Sequence, residues 1–236
     1  MAEKKLMKKS NFILRGGFVT IALFLVGLLE FTRRIFITNI IGDEGNAYFS
    51  CAYEIYFLLA GLFSAVLPIA TSKIIAARMA RGQFKNANRA AQLVFLISCI
   101  AGLVGILSCL FASFFLKEIM QTPLAQLSLQ CFIPAIFILT FSSSYKSLFL
   151  GIGAKTPVAV ATVIQQLVIV MAVIPFSMIL SQYGTKISML LLEEDYKSAY
   201  GAAGVSIGIS IGVLVELIFL IILFFSYRTT DRKSVV

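Results

Sequence analysis

The chain has 236 residues, of which 59% are hydrophobic and 13% charged, and its mean hydropathy is +0.96. A soluble domain is about half apolar and a quarter charged, so this composition excludes an ordinary soluble fold. A formal charge of +9 would suggest nucleic acid in a soluble protein. Here the basic residues fall between apolar runs, where they orient a membrane protein, and no nucleic-acid partner is expected.

The apolar residues come in long runs rather than alternating, which points to helical spans and away from a barrel. Backbone groups in lipid must be satisfied internally, and helices do this within one segment. A span needs about 20 residues. Six segments qualify: 17–41, 47–72, 90–116, 125–151, 157–182 and 200–227. Lys4, Lys5, Lys8 and Lys9 precede the first run as in a signal peptide, but Glu30, Thr32, Arg33 and Arg34 follow it in place of a small-residue cleavage site. An uncleaved first span is expected.

The connections carry the orientation. The segment 1–15 has five basic residues and 73–89 has five (Lys73, Arg78, Arg81, Lys85, Arg89). Lys146 and Lys155 mark the fourth connection, and Arg228, Arg232 and Lys233 the end. The opposite side has Lys117, Lys186 and Lys197. Fifteen against three alternates correctly through six spans and places both termini in the cytoplasm. Segment 73–89 is expected as a helical extension at the cytoplasmic surface, held by orientation and anionic lipid.

The first span carries the chemistry. Phe18 to Leu29 is too short to cross, so the helix must continue through Glu30, Arg33 and Arg34 to Ile41. Spacing of i, i+3 and i+4 puts these charges on one face, extended by Gly27 and Thr38. Gly42-Asp43-Glu44-Gly45-Asn46 makes a turn, so spans one and two form an antiparallel hairpin. Arg33, Arg34 and Glu54 are then at similar depth, and a network of Glu30, Arg33, Arg34 and Glu54 is expected. It reads either as a closed internal salt bridge with snorkelling arginines, or as the anion-binding floor of a transport cavity. Adjacent arginines suit a diphosphate, which their planar forks bind bidentately.

Glu216 in the sixth span and Gln165 and Gln166 in the fifth are weaker candidates, and Lys146 is expected to snorkel to the inner surface. Gly204, Gly208 and Gly212 suggest close helix packing. Pro68, Pro134 and Pro175 fall inside spans and are expected to kink them. Cys51, Cys99, Cys109 and Cys131 lack metal-ligand spacing and read as small buried apolar residues. Histidine is absent and no catalytic or metal motif stands out, so neither an enzyme nor a metal site is expected.

Ile40-Ile41-Gly42-Asp43-Glu44-Gly45 with Tyr48, Ala52-Tyr53-Glu54-Ile55-Tyr56, Leu67-Pro68-Ile69-Ala70-Thr71-Ser72-Lys73 and Tyr200-Gly201-Ala202-Ala203-Gly204 give the chain a family likeness. In order and spacing these segments resemble the stage V sporulation protein B-like oligosaccharide flippases of the multidrug/oligosaccharidyl-lipid/polysaccharide exporter superfamily. The likeness runs from about residue 12 to 227.

The resemblance implies an all-α, MATE-like integral membrane fold of two six-helix lobes in the bacterial cytoplasmic membrane. The two lobes pass a polyprenyl-diphosphate-linked sugar between leaflets by alternating access. Arg33 stands where the related lipid II flippases have an arginine, and Arg34 where the sporulation-type members tend to have one. The lipid II flippases carry an aspartate at the position of Arg34, and family members often have proline or glutamine at Glu54. Substrate or cavity residues are therefore expected at Arg33, Arg34, Glu30, Glu54, Gln165 and Glu216. No cofactor is implied, and a coupling ion, Na⁺ or H⁺, is left open.

The family usually has fourteen spans and this chain matches one lobe, 1–236, so a missing C-terminal lobe or a second copy is an expected partner, beside membrane lipid and the lipid-linked sugar. Asp231-Arg232-Lys233-Ser234-Val235-Val236 matches one translated frame of a common sequencing adapter, which leads to the expectation that the natural protein continues. The rival readings are a cation-coupled MATE-type drug exporter using Glu54 or Glu216, and a non-transporting membrane scaffold.

Overall fold

The structure is a computed structural model. It describes residues 2–62, 66–118, 122–192 and 195–233, and within them the side chains of 16–226 apart from 84, 85, 87 and 88. The basic side chains of the two tails, Lys85, and the terminal residues 234–236 lie outside that description. The described residues are helical apart from short turns: α1 (Ala2–Gly61), α2 (Leu67–Ala80), α3 (Phe84–Glu118), α4 (Ala125–Gly151), α5 (Lys155–Leu191) and α6 (Asp195–Lys233). Four segments are long and apolar enough to cross a membrane: Arg89–Glu118 of α3, α4, α5, and Asp195–Ser226 of α6. The chain is a multi-pass membrane protein.

α1 is not one rod. Gly42 leaves the helical region with φ 71° and ψ −177°, a conformation open essentially to glycine alone. Arg33 and Tyr53 are 20 residues apart and would be separated by about 30 Å along a straight helix. Their side chains meet at 3.5 Å, so the two arms of α1 fold back on each other as a hairpin. The turn is tighter than the expected five-residue loop, because Asp43 to Asn46 already belong to the returning arm. Gly45 in that arm lies against the Ser198 carbonyl, and Ile41 against Gly201, which docks the hairpin tip on the start of α6.

The second expected span, 47–72, is carried by two elements: α1 ends at Gly61 and α2 begins at Leu67 with Pro68 in its first turn, and Leu62 and Val66 are π-helical. A proline lacks the N–H that a mid-helix position must donate, and Pro68 lies in the first turn of α2, where that donor is not needed. Pro134 and Pro175 do sit inside α4 and α5. The expected extension 73–89 divides likewise: α2 ends at Ala80, Gly82 turns with φ 70°, and α3 begins at Phe84. The opposite connection, 183–199, is mostly helix, since α5 runs on to Leu191 and α6 starts at Asp195.

α4 is the buried centre, packed by α6, α3, α2 and α1. The core joins Ile37 and Ile41 of one arm, Phe49, Ala52 and Tyr56 of the other, Leu129, Phe132 and Ile136 of α4, and Val205, Ile209 and Val213 of α6. α5 and α6 form the most extensive contact, and glycines permit it. Gly204 faces the Phe176 carbonyl and Ser177, Gly208 the Val173 backbone, and Gly212 Ile169 and the Gln165 carbonyl. A side chain at any of them would collide with backbone or with Ile169, which is the small-residue packing the spacing suggested. Outward, α3 exposes Leu96, Ile100, Leu107, Phe111 and Phe114, an apolar stripe suited to lipid. The four cysteines are free, with Cys109 fully buried.

Candidate functional site

Among the described residues, two charged centres lie between the helices. The first is in the α1 hairpin. Arg33, Ile37 and Ile41 repeat every four residues and form the inward stripe of the first arm, so the guanidinium is carried into the bundle and only 6% of Arg33 is exposed. Its Nη2 donates to Glu30 Oε1 at 3.2 Å and meets the Tyr53 hydroxyl at 3.5 Å. Tyr53 donates to the same Glu30 oxygen at 3.4 Å, and the guanidinium carbon lies 5.6 Å from the Tyr53 ring centroid. Behind Tyr53 stand Phe49, Tyr56 and Phe132, with the Tyr56 and Phe132 rings stacked at 4.3 Å. This aromatic wall packs against the ring on which Arg33 rests.

The contacts leave Arg33 short of partners. A guanidinium has five N–H donors. Nη2 serves Glu30 and Tyr53, while the buried Nε–H has no acceptor. Glu30 is the open side of the pair, with its side chain 48% exposed against 7% for Arg33.

The expected four-residue network forms only in part. Arg34 and Glu54 are exposed, and no ion pair joins either to the cluster. The reason is helical rotation: one residue turns the side chain by about 100°, so Arg34 points away from the stripe that holds Arg33. For the same reason Tyr53, not Glu54, faces Arg33 across the hairpin. The depth argument was right to within one residue, and Tyr53 was the residue it missed.

The second centre is enclosed between α4 and α6. Glu216 is fully buried, and Lys146 Nζ lies 2.7 Å from its Oε1. Ser142, one turn before Lys146 on α4, donates to Oε2 at 2.9 Å. Lys146 was expected to snorkel outward; instead its stem turns in to a carboxylate whose burial would be untenable without a counter-charge. The same turn of α4 ties in two more helices. Ser147 and Thr71 of α2 are hydrogen-bonded at 2.7 Å, and Ser144 bonds to Ser98 of α3. The polar run Ser142-Ser143-Ser144-Tyr145-Lys146-Ser147 inside an apolar span was the signal for this centre.

Gln165 is half-buried on α5, where its carbonyl meets Gly212, and the side-chain oxygen of Gln166 is buried without a hydrogen-bond partner. Neither joins a charged centre.

The chain is 27% identical to stage V sporulation protein B of Bacillus subtilis (strain 168) over 233 residues, which cover 98% of this chain and 41% of that protein. It thus spans about two-fifths of the length of the relative. No solved structure matches it. Residues 13–235 match the family described as polysaccharide biosynthesis protein, and to that family this chain belongs.

Proposed function

We propose that this chain is a six-span lobe of a flippase that carries a polyprenyl-diphosphate-linked oligosaccharide across the bacterial cytoplasmic membrane by alternating access. In this reading the arms of the α1 hairpin are the first two spans, both termini face the cytoplasm, and the lobe works opposite a second lobe or a second copy. The 41% coverage of the B. subtilis relative supports a partner lobe. Family membership supports a role in polysaccharide biosynthesis.

The observation that carries the substrate class is Arg33. It is a buried cation with an unused donor, beside an acid that is half in the open. A charge at membrane depth is a functional hypothesis by default, and a guanidinium with spare donors suits a diphosphate. Arg34 and Glu54 are exposed and turned about 100° away from the Arg33–Tyr53 contact, so they lie outside this site. Glu216 is different: it is fully buried with the Lys146 ammonium 2.7 Å from Oε1 and Ser142 donating to Oε2, and a counter-charge already in place weighs against the rival in which it binds an exported cation.

The test is lipid flipping by the full-length gene product in proteoliposomes, read with a fluorescent isoprenyl-diphosphate sugar and a membrane-impermeant quencher. Arg33→Ala should abolish flipping while the protein still inserts and purifies normally. Full activity in Arg33→Ala would refute the reading.

A further inference from the structure

We propose that Glu30 is a tethered, displaceable counter-anion that competes with the substrate's diphosphate for Arg33 and so sets how tightly the lobe holds and releases it. This rests on the function proposed above.

Three observations carry it. The first is asymmetry of burial. Arg33 is held against the Tyr53 ring on the inward stripe, whereas the Glu30 side chain is 48% exposed. The acid can therefore leave without uncovering a buried group, and the base cannot. The second is the poverty of the contact. One nitrogen, Nη2, meets one oxygen, Oε1, at 3.2 Å, and the Tyr53 hydroxyl shares both atoms at 3.4–3.5 Å. A well-made guanidinium–carboxylate pair uses two parallel bonds at about 2.7–2.9 Å. The third is the orphaned Nε–H. A phosphate can take Nε and an Nη together, which Glu30 does not do from its place one turn back on the same helix. The incoming anion gains a bidentate contact, and Glu30, already half exposed, turns outward.

The nearby exposed charges are Arg34 and Glu54, neither of which is paired with Glu30 or Arg33. The exchange therefore stays between two anions and one cation. Such a competitor keeps the guanidinium neutralised while the site is empty, and it weakens binding enough for release on the far side.

The test is calorimetric titration of the purified chain in detergent with farnesyl diphosphate, inorganic pyrophosphate and farnesol. Glu30→Gln removes the competing charge at an exposed position and should tighten both diphosphates by about two- to fivefold, the range of a part-exposed ion pair. Glu44→Gln removes another exposed acid, and it should leave affinity unchanged. Farnesol should show no dependence on either variant. Equal or weaker diphosphate binding in Glu30→Gln, with binding still lost in Arg33→Ala, would overturn the counter-anion role and leave the Arg33 site standing. Equal tightening by Glu44→Gln, or a gain with farnesol, would also overturn it. Diphosphate binding that is absent, or indifferent to Arg33→Ala, would overturn both readings.

Discussion

The two charged centres are built from the same materials and come out opposite. Lys146 and Glu216 meet at 2.7 Å with the carboxylate wholly enclosed and a serine on its second oxygen. Arg33 and Glu30 meet at 3.2 Å with the acid half exposed and a guanidinium nitrogen left over. The first is an enclosed, charge-compensated pair that holds helices together, although Glu216 Oε1 accepts no hydrogen bond. The second is an unfinished one that can accept another anion. Charge inside a membrane protein therefore does not mark a binding site by itself; a buried charge whose partner is exposed and exchangeable does.

The comparison breaks most visibly under single substitutions. Removing one partner of the enclosed pair leaves a buried charge, so Glu216→Leu should cost about 3–5 kcal/mol in thermal or denaturant unfolding in detergent. The double variant Lys146→Met/Glu216→Leu should recover most of that loss, because an apolar pair of similar size needs no counter-charge. If the double variant is as unstable as the single one, the centre does more than clamp α4 to α6.

Next in size is the hairpin. Gly42→Ala forces a side chain into a conformation that only glycine adopts readily, although a Cβ there would meet nothing within 4 Å. The loss should be about 1–3 kcal/mol, purely conformational, and visible in the same melts. Thr71→Val, which removes the bond to Ser147, should cost about 0.6–1.7 kcal/mol, the range for hydrogen bonds between membrane helices. Glu30→Gln should be the mildest, within about 1 kcal/mol of the parent, because its pair is part-exposed. A Glu30→Gln loss as large as that of Glu216→Leu would erase the distinction between the centres.

Much of this was readable from the residues. The run lengths gave an all-helical membrane chain, and the charged face after Leu29 led to the Arg33–Glu30 pair. Gly42 gave the hairpin, and the spacing of Gly204, Gly208 and Gly212 gave the α5–α6 packing. What escaped was what depends on rotation about a helix axis and on neighbours distant in sequence. A depth argument cannot choose between Tyr53 and Glu54, since they differ by about 100° and only 1.5 Å of rise. Lys146 and Glu216 are 70 positions apart, and their pairing needs the α4–α6 register that packing alone supplies.

The most direct test of the central claim is photo-crosslinking of the full-length gene product with a diazirine-bearing isoprenyl diphosphate, the adducts mapped by mass spectrometry. The account predicts adducts on residues 30–57, competed by unlabelled diphosphate and lost in Arg33→Ala. Adducts confined to the Ser142–Ser147 turn or to the outer stripe of α3, unchanged by Arg33→Ala, would contradict it.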